Sequence, residues 1–239
     1  MLVSWEQDLL EAATELAETL PENDEHTVAA AAMDAEGRIF TGVNVYHFNG
    51  GPCAELVVLG AAAAAGSAAL ISIVAVGNGG RGILPPCGRC RQSLLDYFPD
   101  ISVLMPRWPG QAGPTPVRVR ELLPGNHERP GQTIRPRTLF FAARYYGAVL
   151  DGSKTITNRY HDPMAVGPVT LVFEFDQAPK SLPGRVLSVR PVQLSELMAE
   201  QDELDGPGAG EQFLHGLRQH YPGLEPHAEL EQVAFRVEQ

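Results

Sequence analysis

The chain has 239 residues, with 18 Lys and Arg against 29 Asp and Glu and a net charge of −11, a balance that argues against a dedicated nucleic-acid binder because phosphate contacts need clustered cations. No apolar run approaches the ~20 residues of a membrane span, and residues 1–20 carry five carboxylates and no basic side chain, the wrong charge for a signal or transit peptide. The 3 cysteines show no pairing pattern, which points to a reducing, cytoplasmic location.

In chain order, residues 4–20 put Leu9, Leu10, Ala13, Leu16, Ala17 and Leu20 on one helical stripe that Pro21 ends. Residues 27–33 and 38–45 read as strands joined by the Asp34-Ala35-Glu36-Gly37 turn. Gly50-Gly51-Pro52 breaks the chain, and Cys53 opens an alanine-rich helix to about residue 65. A buried strand over 70–76, a loop over 77–82, a second helix over 87–98 and a strand over 101–105 follow, with 117–123 supplying a last strand or a short helix. This ββαβαβ order implies a layered α/β domain.

The residues that carry chemistry fall in three segments, Cys53-Ala54-Glu55, Pro86-Cys87 and Gly88-Arg89-Cys90, and they use every cysteine of the chain. Zinc takes thiolate ligands, and a catalytic site leaves the fourth position to water. A C-x-x-C at a helix start aims two sulfurs at one point, Cys53 can supply a third, and helix N-termini favour thiolate over thiol. Glu55 is placed to take a proton from a zinc-activated water and return it to the substrate. Three thiolates on Zn²⁺ leave a net charge of about −1, and Arg81, Arg89 and Arg91 are expected to offset it by hydrogen bonding to sulfur. The alternative is a closed zinc knot, with His47 as fourth ligand and Glu55 incidental.

C-x-E followed by P-C-x-x-C is the three-cysteine form of the zinc nucleobase deaminase pattern. With G-R-I-F-T-G-V-N-V-Y-H-F-N-G-G-P-C-A-E-L-V-V-L-G and R-G-I-L-P-P-C-G-R-C-R-Q, the chain up to the R-E-L-L-P ending at Pro124 resembles the blasticidin-S deaminase branch of the cytidine deaminases. The resemblance implies the three-layer α/β cytidine deaminase fold over 1–124, one zinc per subunit on Cys53, Cys87 and Cys90, and Glu55 as proton shuttle. It also implies hydrolytic loss of ammonia from C4 of a cytosine nucleoside and a tetramer with active sites near subunit contacts. Where ordinary cytidine deaminases carry N-x-E, this chain has Asn44-Val45-Tyr46. Asn44 can bind a sugar hydroxyl, whereas Tyr46, shared with the blasticidin branch, lacks the two acceptors of a carboxylate. The family's aromatic tail after R-E-L-L-P is absent from Gly125-Asn126-His127-Glu128-Arg129.

Residues 125–136, rich in Pro and Gly, read as a linker. Beyond them, short strands around 138–141, 169–175, 185–191 and 232–237 and helices over 143–150, 194–203 and 210–220 suggest a small β-barrel with peripheral helices. Arg135, Arg137, Arg144, Lys154 and Arg159 meet only Asp151, which fits a solvated face or a pocket for a polar or anionic ligand. The G-x-K-x-x-T-x-R motif of Gly152, Lys154, Thr157 and Arg159 can deliver a cation, a hydroxyl and a planar fork to one pocket. Together with Phe141-x-x-Arg144-Tyr145, Leu194-Ser195-Glu196-Leu197 and His220-Tyr221-Pro222-Gly223, it resembles the ASCH family and implies a PUA-like barrel over 137–239. By that resemblance Thr157 would be a nucleophile, Lys154 its activator and Asp202 the acid/base partner in hydrolysis of N4-acetylcytidine, with Arg159 binding substrate. The readings are therefore a zinc-dependent cytosine-nucleoside deaminase whose second domain binds or deacylates a modified nucleoside, an RNA-directed deaminase with an RNA-binding barrel, and a structural zinc protein in which Glu55 is dispensable.

Overall fold

The computed structural model describes residues 2–127 and 137–238; residues 128–136 of the expected linker, Arg135 among them, lie outside the described residues. The first half contains α1 (Ser4–Glu18), β1 (Val28–Asp34), β2 (Ile39–Val43), α2 (Ala54–Ala64), β3 (Leu70–Gly77), β4 (Gly82–Ile83), α3 (Gly88–Tyr97), β5 (Ser102–Met105) and β6 (Thr115–Arg118), followed by a 3-10 turn at Val119–Leu122. The strands lie in the order β2-β1-β3-β5-β6, with β4 on β3. β3 and β5 are parallel, and α3 lies in the crossover that such a pair requires.

β3 is buried along its whole length, as a strand covered on both faces must be. Ile73 and Ala75 join a core with Val58 and Leu59 of α2 and Leu94 of α3. Val74 and Val76, on the opposite face, join Leu9, Ala13 and Ala17 of α1. The result is helix, sheet, helix: the three layers expected. Close approach on the α2 face depends on small residues. A Cβ on Gly42 of β2 would lie 2.9 Å from Val57 Cγ1, so this glycine sets the height of α2 above the sheet and the position of its N-terminus.

Two segments differ from expectation. The loop anticipated over 77–82 turns back as a hairpin, with Val76 and Gly77 paired to Ile83 and Gly82. Gly79, Gly80 and Gly82 supply its left-handed positions. The 117–123 stretch is neither purely strand nor purely helix: β6 ends at Arg118 and the 3-10 turn follows.

Between α3 and β5, Asp100 is 5% exposed. Its carboxylate accepts from Arg120 Nη2 (2.7 Å), from Arg137 Nε (2.8 Å) and Nη2 (2.7 Å), and from the Thr138 backbone N–H (2.8 Å). This clamp fixes the start of β7 (Arg137–Ala142). Phe140 of β7 and Val172 join the α1-side core, and one compact unit accordingly comprises the described residues up to Arg144 together with Thr170–Leu182.

The remaining elements are α4 (Tyr146–Leu150), β8 (Ile156–Arg159), β9 (Gly167–Glu174), β10 (Lys180–Gln193), α5 (Leu194–Asp205), α6 (Ala209–Arg218) and β11 (Glu229–Val237). The second sheet is an open path, β7-β9-β10-β11-β8. β10 spans 14 residues, where the sequence reading stopped at Pro191. The other unit, Tyr145–Val169 with Pro183–Gln239, has a core of Val192, Leu194, Leu197, Leu214, Leu224 and Leu230. Among the described residues, no helix is long and apolar enough to cross a membrane.

Candidate active site

Cys53 and Cys87 are the N-caps of α2 and α3, both in the extended conformation that ends a helix at this position (ψ 158° and 167°). Each follows a proline, so the chain enters both helices with a restricted backbone. The Cys53 approach is also pinned. A Cβ on Gly51 would fall 1.7 Å from the Val45 carbonyl, and Val45 N–H donates to Pro52 O at 3.1 Å. No residue but glycine fits position 51.

These two helix starts bring the three sulfurs together. Cys53 Sγ lies 3.8 Å from Cys87 Sγ, and Cys87 Sγ lies 3.6 Å from Cys90 Sγ. All three fall within 4.8 Å of one another. A disulfide would need about 2.05 Å. A tetrahedral zinc with Zn–S of about 2.3 Å sets its sulfurs about 3.8 Å apart, and the donor set therefore fits zinc. Among the described residues the cysteines form the one cluster of potential ligands with this proximity. His47 does not complete it: its Nδ1 contacts Asn49 Oδ1 and its ring packs on Phe48.

Electrostatics point the same way. Burial pushes the Cys53 thiol up, with Cys87 and Glu55 adding to the rise. Burial and the Glu55 and Cys53 charges push Cys90 far above the usual thiol range. For Cys87, burial acts upward but is outweighed by the Cys90 and Arg89 backbone N–H groups and the neighbouring sulfurs, and its pKa falls. Three thiolates here need a compensating cation.

Glu55, in the first turn of α2, is 6% exposed. It lines a cavity of about 260 Å³ together with Cys53, Cys87, Asn44 and Tyr46. Carboxylate, sulfurs and open space thus meet at one point. Val28, Ala75, Leu84 and Pro85 complete much of the wall, and sequence reading did not single them out, since small apolar residues in or beside strands carry no signal beyond burial. Asn44 is more committed than expected. Its Oδ1 accepts from Thr27 and Val28 N–H (2.7 and 2.8 Å), and its Nδ2 donates to Glu25 O (3.2 Å). Tyr46 stands at the rim, 64% exposed.

The three arginines expected at the sulfurs bond instead to main-chain oxygens. Arg81 reaches Thr27 O, Asn78 O (3.2 Å) and also the Asn78 side-chain Oδ1, Arg89 reaches Gly51 O (3.3 Å), and Arg91 reaches Pro86 O and Leu122 O (2.9 Å each). The physical reason is reach: Gly51 O and Pro86 O sit beside the cysteines in loop segments, and main-chain carbonyls with a free lone pair compete for a guanidinium.

Residues 3–103 match the family described as the cytidine and deoxycytidylate deaminase zinc-binding region. The blasticidin-S deaminase of Bacillus cereus is 34% identical over 107 residues, covering 41% of this chain and 76% of that protein. The chain belongs to the cytidine deaminase family. It is an enzyme of the cytidine/blasticidin-S deaminase type. The cytidine deaminase of Mycobacterium tuberculosis (strain H37Rv) is 42% identical over 72 residues, 29% of this chain and 53% of that protein. The crystal structure of the Mycobacterium tuberculosis cytidine deaminase aligns at 31% identity and a TM-score of 0.44, over 53% of this chain and 99% of that one.

In the other unit, Thr157 and Arg159 sit two apart on β8, paired to Val233 and Glu231 of β11, so both point to one side of the sheet. The second half of the motif is thus strand, and its Gly152 and Lys154 precede it. Lys154 precedes the strand, donates from Nζ to Ile156 O (3.1 Å) and lies 4.8 Å from the Tyr145 ring centroid. Burial holds its ammonium below the ordinary lysine value, and Arg159 adds repulsion. Arg159 Nη1 is 3.9 Å from Asp162 Oδ2. Asp202, on α5, accepts at Oδ1 from Gly208 and Gly210 N–H (2.9 Å each). That carboxylate holds the start of α6.

Proposed function

We propose that the chain hydrolyses a cytosine nucleoside to the corresponding uracil nucleoside and ammonia, with Cys53, Cys87 and Cys90 as zinc ligands and Glu55 as proton shuttle. The observation that carries this reading is three clustered sulfurs, two pairs of them at the separation a tetrahedral zinc sets, beside a buried carboxylate at the wall of a cavity. Zinc, when bound, supplies the polarisation that makes water nucleophilic at neutral pH. Glu55 takes the first proton of the attacking water and delivers it to ring N3. It then takes the second from the new C4 hydroxyl and passes it to the amine as the C–N bond breaks and the C4 carbonyl forms. Asn44 and Tyr46 meet the sugar side of the substrate. A carboxylate at position 46 would accept from two ribose hydroxyls, and a tyrosine cannot, which favours cytidine analogues with an altered sugar, blasticidin S included, over cytidine itself.

Ammonia release measured on cytidine, deoxycytidine, blasticidin S and N4-acetylcytidine tests the reading. Glu55→Gln should keep zinc and lower turnover by about 10²–10⁴-fold. Full activity in that variant, or no release from any cytosine nucleoside by the wild type, refutes it.

For the ASCH-like unit we infer binding of a modified nucleoside such as N4-acetylcytidine by Lys154, Thr157 and Arg159. The supporting observation is the half-buried Lys154 ammonium near Arg159. With Oδ1 of Asp202 committed to the α6 start, binding is favoured over hydrolysis; calorimetric titration with N4-acetylcytidine that yields no heat and no saturation rejects it. The RNA-directed alternative requires RNA affinity that falls steeply with salt, which the net charge of −11 disfavours. A homotetramer, the assembly implied by the resemblance, is read directly by light scattering.

A further inference from the structure

We propose that Arg91 is a positioning residue for the metal loop. With Gln92, it laces the segment that follows the first sheet onto the opening turn of α3 and so holds Cys87 and Cys90 against Cys53. The inference rests on the reading of the three cysteines as metal ligands.

Arg91 grips the loop at two points. Its backbone N–H donates to Cys87 O at 2.9 Å, and its Nε donates to Pro86 O at 2.9 Å. Pro86 has a ring-fixed φ and no N–H. Its ψ is therefore the soft torsion through which Cys87 could swing, and a bond to the Pro86 carbonyl fixes that torsion. The other side of the guanidinium is anchored outside the helix, where Nη1 donates to Leu122 O at 2.9 Å at the end of the 3-10 turn. The next residue repeats the pattern, Gln92 Nε2 donating to His127 O at 3.0 Å while also reaching Asp96 Oδ1 at 2.9 Å. Adjacent side chains of the cysteine helix thus hold the carbonyls of Leu122 and His127.

Metal sites tolerate ligand displacements of about 0.5 Å. The strut therefore matters to metal retention although it touches no sulfur. A planar fork with N–H groups on two edges can serve Pro86 and Leu122 at once; an ammonium on a flexible stem cannot hold both vectors.

The test uses the full-length, zinc-loaded chain and its Arg91→Gln and Arg91→Lys variants. Zinc per chain, the rate of zinc transfer to a chromogenic chelator, and the visible absorption of the cobalt-substituted protein are measured. Arg91→Gln should lose zinc about 10–100-fold more readily, Arg91→Lys should fall between it and the wild type, and the cobalt bands of both should depart from those of the wild type. If Arg91→Gln fails to fold, Arg91→Lys, which keeps the charge and the stem, decides. Wild-type zinc retention and cobalt spectra in the folded variants overturn the strut and leave the metal reading standing. A wild-type chain that takes up no stoichiometric zinc removes the metal reading, and the inference with it.

Discussion

Replacing Asp100 by Asn should destabilise the protein by about 3–5 kcal/mol, the range for removing one partner of a buried ion pair. The carboxylate is 5% exposed and accepts four hydrogen bonds, three of them from the guanidiniums of Arg120 and Arg137. At about 1.5–3 kcal/mol per bond to a charged group, a simple sum over the four would overshoot that range. The sum overcounts, because the two arginine side chains are 23% and 16% exposed and water recovers part of their solvation. The lower figure therefore wins. An amide at position 100 also turns an N–H₂ toward a guanidinium, donor against donor. At about 2–4 °C per kcal/mol for a chain of this size, the melting temperature should fall by about 6–20 °C, followed by circular dichroism at neutral pH with a urea titration alongside. Arg185→Gln is the control. Its pair with Glu238 is 41% and 32% exposed, and exposed pairs contribute about 1 kcal/mol or less. Equal, small losses in both variants would show that the clamp holds nothing that water does not, and the reasoning would fail.

Tyr46→Ala should raise KM by about tenfold and leave kcat within about threefold, since a contact at the rim serves binding rather than bond breaking; a fall in kcat at constant KM would reject that role. Lys154→Met should raise the melting temperature at pH 7. The folded-state pKa of Lys154 lies below its ordinary value, so the folded chain binds fewer protons than the unfolded one between the two values, and stability rises with pH across that window. The penalty is in force below the folded pKa and is relieved as pH climbs through it towards 10.5. Melts from pH 7 to 11 should therefore show wild type and variant converging, and parallel curves would refute the assignment.

The first unit was legible in the sequence because its signals are local. The stripe of α1, the largely apolar run of β3, and the prolines before Cys53 and Cys87 each depend on residues close in the chain. The cysteine cluster was legible for the same reason: two helix starts need only short spacings to be recognised, even though Cys53 and Cys87 are far apart in sequence. What escaped depends on distant partners. Asp100, Arg120 and Arg137 meet from three separate segments, and no spacing announces that. Charge alone assigns the arginines near the cysteines to the sulfurs; the structure gives them to carbonyls, because charge says which groups attract and not which oxygen is within reach. In the other unit, β8 was hidden because the turn signal of Asp151-Gly152-Ser153 runs straight into the short β-branched run Thr155-Ile156-Thr157, and its pairing partner β11 lies far along the chain.

The two units also differ in what their backbones hold in place. In the first, helix starts, prolines and a glycine that no larger residue can replace all converge on one cluster of donors. In the other unit the constraints serve the sheet and the helix cap instead: Thr157 and Arg159 are held by the β11 ladder, and Asp202 by the start of α6. A site that breaks and forms bonds needs its groups fixed relative to one another, whereas a binding surface needs them only presented on one side. That difference in what the backbone enforces is the physical ground on which we propose deamination for the first unit and nucleoside binding, rather than hydrolysis, for the other.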